Sequence, residues 1–304
     1  GRLADARPFR PGERHCGGQL LWTDYAAVCA GLLGILSVNC LTAPSEADRN
    51  PWAAPGRLPL MVYTLRMAGV SDVGRIRERN EDRILIAPPM GAVADGMGGH
   101  LRGDRAAQAV IDSLSGVEWA GLSSDEERID HVESAIASAQ LEIQEMVSAR
   151  QQAGSTLAGV QYCPDPAHWF VFHIGDSRAY LIRGGELTRL THDHSHVQEL
   201  IDEGVISEDE ARVHPARSSL TRAIAARVPP QLEVSSVPAV AGDVVVVCSD
   251  GLTDELTDAD IARIVTEMSE ESAQSLAYAL RDTAITRGGH DNISAVIMTI
   301  GHKQ

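Results

Sequence analysis

Five aspartates lie next to short apolar segments, a pattern that could build a cation site. They are Asp82, Asp95, Asp176, Asp250 and Asp291. One aspartate followed by glycine is an ordinary turn. Five carboxylates that met at the ends of strands would repel one another and would become harder to ionise. Hard divalent cations remove that repulsion, and a ligand set made only of oxygen favours Mg²⁺ or Mn²⁺ over zinc.

Glycines beside two of these aspartates strengthen the interpretation. Asp95 precedes the run Gly96-Met97-Gly98-Gly99-His100, and Asp250 precedes Gly251. Because glycine lets the backbone approach its surroundings closely, a carbonyl group next to Asp95 can also face a cation.

The segments that must position these aspartates have mainly β-type patterns. Short stretches rich in Val and Ile, bounded by Gly, Pro or Asp, are typical of strands. They cover residues 83–87, 91–94, 156–162, 168–174, 179–182, 186–190, 244–248 and 293–300. Gly184-Gly185 separates two of them and predicts a hairpin turn.

Amphipathic helices alternate with these strands. Apolar residues three and four positions apart predict a long helix over 129–146, which a capping box formed by Ser124 and Glu127 would begin. A second helix is predicted after Thr257 and a third over about 270–286. Hairpin-linked strands with long amphipathic helices indicate an α/β sandwich with largely antiparallel sheets.

Composition excludes some classes of function. The chain has 304 residues and a formal net charge of −16. Such an acidic protein is a poor general binder of nucleic acid or of anionic membranes. Its five cysteines are odd in number and no close pair has the spacing of a zinc site. This usage favours a reducing compartment over a disulfide scaffold.

The chain divides near residue 60. Residues 1–60 are predicted to be an N-terminal extension, and residues 61–304 a single domain. The uncharged run 25–43 could just span a bilayer. Alternatively, the extension is a disordered tail, or the native protein starts at Met61 and the earlier residues are a mis-assigned start. The segment 51–59, rich in Pro and Ala, is typical of a linker in each case.

Seven sequence blocks, taken in order, resemble the PPM (PP2C-type) protein phosphatases, above all their compact bacterial forms. The blocks begin at Arg77, Asp95, Gly154, Gly175, Leu190, Ser249 and Asp291. The resemblance covers about residues 70–300, and the order of the blocks is far more specific than any one of them. It implies two central antiparallel β-sheets flanked by helices, in an α-β-β-α arrangement.

The resemblance also implies a set of metal ligands. Asp95 corresponds to the carboxylate that bridges two metal ions, and the Gly96 carbonyl to a ligand of one of them. Asp250 and Asp291 correspond to further ligands. Asp176, with Asp250, corresponds to the pair that holds a third, weaker metal. The implied cofactors are two tightly bound Mn²⁺ or Mg²⁺ ions, with room for this third, weaker one.

Other implied roles concern the substrate. Arg77 corresponds to the arginine that binds the substrate phosphate, for which a planar guanidinium fork is well suited. Glu81 and Asp82 correspond to an acidic pair near the metals that acts partly through bound waters. His100 corresponds to the histidine proposed to protonate the leaving alcohol, a task that suits its pKa near neutrality.

Plainer interpretations stay open for several of these residues. Arg77 could belong to a solvated basic face, His100 could cap a helix, and Asp176 could be structural. The histidines at 192, 194 and 196 look like a metal cluster, but they fall in a block where the family has no ligands. The polar segment 197–227 departs most from the family pattern and is expected to form a helical flap beside the active site.

The implied activity is hydrolysis of phosphoserine and phosphothreonine on proteins, opposing a bacterial Ser/Thr kinase. The expected partners are phosphorylated proteins and that kinase, with no nucleic acid. The chain is expected to be a cytoplasmic monomer, or to lie at the cytoplasmic face of the membrane if 25–43 is an anchor. A catalytically weak pseudophosphatase and a two-metal nuclease are the alternatives. Retention of Asp95, Asp250 and Asp291 disfavours the first, and the acidic charge disfavours the second.

Overall fold

The computed structural model describes residues 63–98, 102–147, 152–227 and 229–302. Within these ranges the strands are β1 (Tyr63–Asp72), β2 (Arg83–Ala87), β3 (Met90–Ala94), β4 (Gly96–Met97), β5 (Gly154–Ser155), β6 (Leu157–Pro164), β7 (Ala167–Ile174), β8 (Arg178–Arg183), β9 (Glu186–Arg189), β10 (Ile224–Ala225), β11 (Glu233–Pro238), β12 (Val244–Cys248) and β13 (Ile293–His302). The helices are α1 (Gly103–Ser115), α2 (Asp125–Met146), α3 (His196–Asp202), α4 (Glu208–Arg212), α5 (Asp250–Thr253), α6 (Asp258–Glu267) and α7 (Ala273–Arg287).

The longer strands form two five-stranded antiparallel sheets. One has the order β1-β13-β12-β8-β9 and the other the order β11-β7-β6-β3-β2. Three two-residue strands form a small third sheet, with the order β10-β5-β4. The predicted turn at Gly184-Gly185 is confirmed, since β8 and β9 pair as a hairpin around it.

Strand β12 shows why the apolar runs of the sequence become central strands. Val245 and Val247 pack into the cluster between the two sheets, whereas Val246 and Cys248 face the helices α5, α6 and α7. Successive side chains of a strand point to opposite faces, so a strand covered on both sides must be apolar throughout. All five residues of β12 are buried.

The second sheet is covered in the same way. Its outer face packs against α1 and α2, with Phe172 and Ile174 of β7 meeting Ala106 and Ile136 of the helices in one buried cluster. Helix, sheet, sheet and helix therefore follow one another as layers, and the predicted α/β sandwich of antiparallel sheets flanked by helices is confirmed.

Local predictions differ from the structure in a few places. Strands β1 and β11 and helix α1 were not predicted. Strand β11 carries few large apolar residues and is mostly exposed at a sheet edge, so it lacks the strand pattern. The capping box of α2 is only half formed. Ser124 Oγ accepts from Glu127 N, but the Glu127 carboxylate accepts from Ser123 N and Oγ instead of from Ser124 N.

The extension and its apolar run 25–43 lie outside the described residues. In the part of the chain that the structure describes, no helix combines the length and the apolar character needed to cross a bilayer.

Candidate metal centre

A cavity of about 460 Å³ opens at one edge of the two sheets. The acidic residues that line it include Glu81, Asp95, Asp176, Asp250 and Asp291. These carboxylates come from distant parts of the chain, and they meet because the strands run antiparallel. The ends of some strands and the beginnings of their neighbours therefore share one edge of each sheet.

The strand register explains this convergence. Ala94 at the end of β3 pairs with Arg83 at the start of β2, so Asp95 and Asp82 occupy neighbouring positions. In the other sheet, Cys248 at the end of β12 pairs with Ala295 near the start of β13. Asp250 and Asp291 therefore flank the same edge.

The backbone of Asp95 is held by the start of β6. Asp95 N donates to Thr156 Oγ1 at 3.1 Å, and Thr156 N donates to Asp95 O at 2.8 Å. Ser155 Oγ also donates to Asp95 O, at 3.0 Å. The aspartate therefore enters the cavity from a backbone fixed at both its N–H and its carbonyl.

Gly96 lies where no larger residue fits. A Cβ atom at this position would collide with the carbonyl oxygen of Gly103 at the start of α1. At Gly103, in turn, a Cβ would lie 2.6 Å from both Gly96 O and Glu81 Oε2. The close approach of α1 to the Gly96 carbonyl and the Glu81 carboxylate therefore requires glycine at both positions.

Asp82 lies behind the cavity and not on its wall. It is 2% exposed, and its Oδ2 accepts a 2.7 Å hydrogen bond from Ser249 Oγ. Asp82 Oδ1 is buried without a hydrogen-bond partner among the described residues. A buried carboxylate with one oxygen unsatisfied suits a residue that supports a cation site from behind.

Asn292 connects the loop that carries Arg77 to the strand that follows Asp291. Its side-chain Nδ2 donates to Val73 O at 3.0 Å and to Arg79 O at 2.8 Å, and its Oδ1 accepts from Glu81 N at 2.8 Å. One buried amide thereby fixes three points of the loop. The sequence placed Asn292 in a motif block but did not reveal this role.

Arg77 lies at the mouth of the cavity. Its side chain is 55% exposed, and Nη2 lies 2.6 Å from Asp291 Oδ2. The structure therefore places this guanidinium beside the carboxylates and not on a separate basic surface.

The carboxyl groups of the centre are hard to ionise together. Burial, followed by the charges of Asp82, Asp250 and Asp176, raises the pKa of Asp95 well above its usual value. Burial and Asp176 do the same to the pKa of Asp250. Burial, with Asp193 nearby, raises the pKa of Asp176 to about 7.

The pKa values of two more acids are also raised. Burial raises the pKa of Asp82 to about 6, against the opposing effect of the hydrogen bond from Ser249. Burial and the charge of Asp104 raise the pKa of Glu81. Several acids with raised pKa values around one cavity are typical of a functional site.

These residues fit a hard divalent cation. Carboxylate and carbonyl oxygens surround the cavity, and Asp250 Oδ1, like Asp82 Oδ1, is buried with no hydrogen-bond partner in the part of the chain that the structure describes. Oxygen ligands of this kind suit Mg²⁺ and Mn²⁺, and positive charge at this place would offset the repulsion that raises the pKa values.

The other predicted features are placed as follows. His100 lies outside the described residues, so its role stays a prediction. Segment 197–227 contributes Ser218 and Leu220 to the cavity wall and contains nearly all of the short helix α3 and the whole of α4. The predicted flap therefore borders the cavity. Ser249 and Thr156 support the centre through hydrogen bonds. In the sequence, the only signal for Ser249 is its position before Asp250, and the only signal for Thr156 is its place in a motif block.

Comparisons with known proteins relate this chain to one family. A family model described as Protein phosphatase 2C matches residues 78–283. The serine/threonine protein phosphatase PstP of Mycobacterium tuberculosis is 38% identical over 247 residues, which are 79% of this chain but 46% of PstP. The chain thus spans less than half the length of that relative. The serine/threonine phosphatase stp of Listeria monocytogenes is 32% identical over 238 residues, which are 75% of this chain and 93% of stp.

The solved structures lead to the same family. The catalytic domain of PstP in complex with two manganese ions superimposes with a TM-score of 0.68 at 33% identity, over 79% of this chain and 99% of that domain. The family model covers more than half of the chain, and the relatives exceed 30% identity over most of its length. This chain therefore belongs to the protein phosphatase 2C family.

Proposed function

We propose that this protein hydrolyses phosphoserine and phosphothreonine esters on proteins at a binuclear Mn²⁺ or Mg²⁺ centre. The observation that carries the proposal is the convergence of Asp95, Asp250 and Asp291 on one cavity with Arg77 at its mouth. The PstP catalytic domain with two manganese ions supports the choice of cofactor.

The proposed ligand set consists of carboxylates and one carbonyl around the cavity. Asp95 is central to it, with the Gly96 carbonyl, Asp250 and Asp291 around it. Asp176 and Asp250 would hold a third, weaker cation. Glu81 and Asp82 lie next to this set and would act through waters, since Asp82 is separated from the cavity wall.

The cations, when bound, would supply positive charge for the phosphoryl oxygens and a water of lowered pKa as the nucleophile. The chain's own contribution is to fix their ligands before the substrate arrives. Thr156 and Ser155 hold the backbone of Asp95, and Asn292 holds the loop beside Asp291. Preorganised groups of this kind need no rearrangement during the reaction.

Arg77 would bind the substrate phosphate. Its guanidinium is exposed at the cavity mouth and already pairs with an anionic oxygen of Asp291. A guanidinium offers two parallel N–H groups, which match two oxygens of a phosphate. It would hold the phosphoryl group next to the cations and neutralise part of its charge.

His100 would donate a proton to the leaving serine or threonine oxygen. It follows the glycine run after Asp95, which begins at the cavity wall with Gly96 and Gly98. A leaving alkoxide is strongly basic and needs a proton donor, and imidazole can act as one at neutral pH.

The partners follow from this activity. The substrates would be phosphorylated proteins made by a Ser/Thr kinase of the same cell, and the protein would act as a cytoplasmic monomer. Both cysteines of the described chain, Cys163 and Cys248, are outside any disulfide, as expected in a reducing compartment.

A phosphatase assay tests the proposal. Phosphate release from a phosphothreonine peptide is measured with Mn²⁺, with EDTA, and with EDTA followed by excess Mn²⁺. Activity is expected only when Mn²⁺ is available, and Asp250→Asn is expected to abolish it. Asp130→Asn, on the exposed side of α2, is the matched control and should behave as wild type. Activity that survives Asp250→Asn or EDTA would contradict the proposal, and a protein that binds Mn²⁺ without turnover would indicate a pseudophosphatase.

A further inference from the structure

Two mixed clusters of metal-ligating side chains lie away from the centre, within the described residues. One consists of His173, His194 and Glu233, and the other of Asp125, Cys163 and His168. In each cluster the ligand atoms lie within 4.8 Å of one another. Hydrogen bonding distinguishes the two clusters as possible metal sites, because a metal-binding histidine needs a free lone pair on the nitrogen that faces the ion.

In the first cluster His194 lacks that lone pair, although His173, whose Nε2 faces the carbonyl oxygen of His192, keeps one on Nδ1. His194 Nδ1 accepts a 3.1 Å hydrogen bond from Gly175 N. A neutral His194 must then carry its proton on Nε2, the nitrogen that faces Glu233 Oε2 at 3.1 Å. The guanidinium of Arg222 lies 3.2 Å from the same Nε2. A cation there would meet both a proton and a positive charge, so this cluster is a hydrogen-bonded support for the turn at Gly175.

The second cluster is assembled by strand register. Cys163 of β6 and His168 of β7 lie directly opposite each other in the antiparallel pair. Side chains of opposed residues share one face of the sheet and lie close together. Asp125, the first residue of α2, approaches from the helix layer above that face. The three ligands come from three elements, so no sequence spacing announces them.

The protonation of His168 shows what the second cluster requires. Its Nδ1 lies 2.6 Å from Pro166 O, and since a carbonyl oxygen only accepts, Nδ1 must carry a proton. In a neutral ring the lone pair of Nε2 then points at Asp125 Oδ1, which lies 2.9 Å away. Two acceptors at this distance need a cation or a second proton between them. A backbone carbonyl that holds the far nitrogen is also the usual support for a metal-binding histidine.

The remaining contacts orient the carboxylate. Ser236 Oγ donates to Asp125 Oδ2 at 2.8 Å, and Arg128 Nη1 donates to Asp125 Oδ1 at 3.0 Å. Arg128 does not oppose a divalent cation here. Burial raises the pKa of the Cys163 thiol to about 12, so a divalent cation would release the thiol proton to solvent on binding. The resulting thiolate and the Asp125 carboxylate would neutralise the cation, so that the guanidinium would meet a site without net charge.

We propose that Asp125, Cys163 and His168 form a zinc site, with the Cys163 sulfur, His168 Nε2 and Asp125 Oδ1 as ligands. A set of sulfur, nitrogen and oxygen suits Zn²⁺ and differs from the all-oxygen centre. A water or the Ser236 hydroxyl would complete the tetrahedron. The ion would join the start of α2 to the β6–β7 hairpin. Cys163 lies seven residues along β6 from Thr156, about 23 Å from the phosphatase centre, so the site is structural and independent of the proposed activity.

Cobalt spectroscopy of the full chain tests this site. The EDTA-treated protein is first saturated with Mn²⁺, which fills oxygen sites, and is then titrated with Co²⁺. A thiolate-to-cobalt charge-transfer band in the near ultraviolet is expected, because the oxygen-only centre cannot produce one. Zn²⁺ should remove the band by displacing Co²⁺, and should raise Tm of the wild-type protein.

Variants tie the band to the cluster. Cys163→Ser and His168→Gln should each lose it, together with the zinc-dependent rise in Tm. Cys248→Ser, which removes the other buried thiol of the described chain, should keep both. His168 has a side chain 15% exposed, so His168→Gln is expected to fold even if Cys163→Ser does not; circular dichroism checks both. A wild-type protein without the band, or a band that survives both substitutions, would mean that only a proton joins His168 to Asp125.

Discussion

Ser249 Oγ donates a 2.7 Å hydrogen bond to Asp82 Oδ2, although the two residues are 167 positions apart in the chain. The bond joins the end of β12 in one sheet to the start of β2 in the other. Ser249 Oγ also accepts from Ser294 N at 3.1 Å, so one hydroxyl connects three strands at the edge that carries the centre.

Ser249→Ala is therefore expected to destabilise the protein. It would leave a buried carboxylate without its hydrogen-bond donor, which costs about 1–3 kcal/mol. Urea unfolding measures the change, and Ser134→Ala, on the exposed face of α2, is the control that should have little effect. Equal stability of the two variants would show that the hydroxyl does not support Asp82.

Asn292 should affect catalysis only by positioning the loop that carries Arg77 and Glu81. Asn292→Ala removes two donors and one acceptor that hold the loop with Arg77 and Glu81. Loss of buried hydrogen bonds at about 1–3 kcal/mol each predicts a fall of about tenfold or more in kcat/KM. The measurement is phosphopeptide hydrolysis at saturating Mn²⁺, with circular dichroism to confirm folding. An unchanged kcat/KM in a folded variant would remove Asn292 from the account.

Arg77 can be tested as a phosphate ligand separately from the metals. Arg77→Ala should raise KM for a phosphopeptide by about tenfold or more, since a charged hydrogen bond contributes about 1.5–3 kcal/mol. Arg77→Lys should recover little, because an ammonium group cannot form the planar fork.

The matched control is Arg75→Ala, which removes an exposed neighbouring guanidinium that does not line the cavity. Its KM should stay within about twofold of wild type if Arg77 acts by position. Mn²⁺ affinity, measured by calorimetry, should remain in all three variants. A KM that shifts equally in Arg75→Ala and Arg77→Ala would indicate a general basic surface.

The raised pKa values predict how pH affects the metal-free protein. The folded-state pKa of Asp176 is about 7, above the ordinary 3.8. The fold therefore favours the protonated carboxyl. The contribution of Asp176 to the free energy of unfolding is fully present below about pH 4 and is lost as pH rises through 7. Asp82, with a pKa of about 6, acts in the same direction. The free energy of unfolding of EDTA-treated protein should fall from pH 5 to pH 8 by roughly 2–3 kcal/mol for Asp176.

Two comparisons check the origin of that slope. Asp176→Asn cannot ionise at this position, so its unfolding free energy should depend less on pH. Saturating Mn²⁺ should reverse the loss at pH 8, since cations bind the ionised carboxylates of the folded protein. Metal-free protein that is equally stable at pH 5 and pH 8 would contradict the proposed repulsion.

Much of the fold could be read from the sequence because its central strands are uniformly apolar. Strand β12 has the same bounds as its apolar run, and α6 begins directly after Thr257 as predicted, with Thr257 as its N-cap. Strand β11 could not be found in this way, because an exposed edge strand has no continuous apolar pattern. Helix α1 was missed although its buried residues have helical spacing; they include Ala106, Ala107, Val110, Ile111 and Leu114.

The site was predictable to a similar degree. Asp95 and Asp250 stand out in sequence because each follows an apolar strand and precedes glycine. The hydroxyl of Ser249 and the amide of Asn292 carry no such signal, since their partners are 167 and more than 200 positions away. The cross-strand pair Cys163 and His168 escapes sequence inspection for the same reason, because register and not spacing brings it together.

The central claim is that carboxylates distant in sequence bind a pair of cations, and counting bound Mn²⁺ tests it most directly. Isothermal titration calorimetry of EDTA-treated protein should show two tightly bound Mn²⁺ per chain in the wild type. Asp95→Asn, which alters the residue assigned to both ions, should lose the tight sites and phosphopeptide hydrolysis together. An Asp95→Asn variant that binds two Mn²⁺ as tightly as the wild type and hydrolyses the peptide as fast would contradict the account.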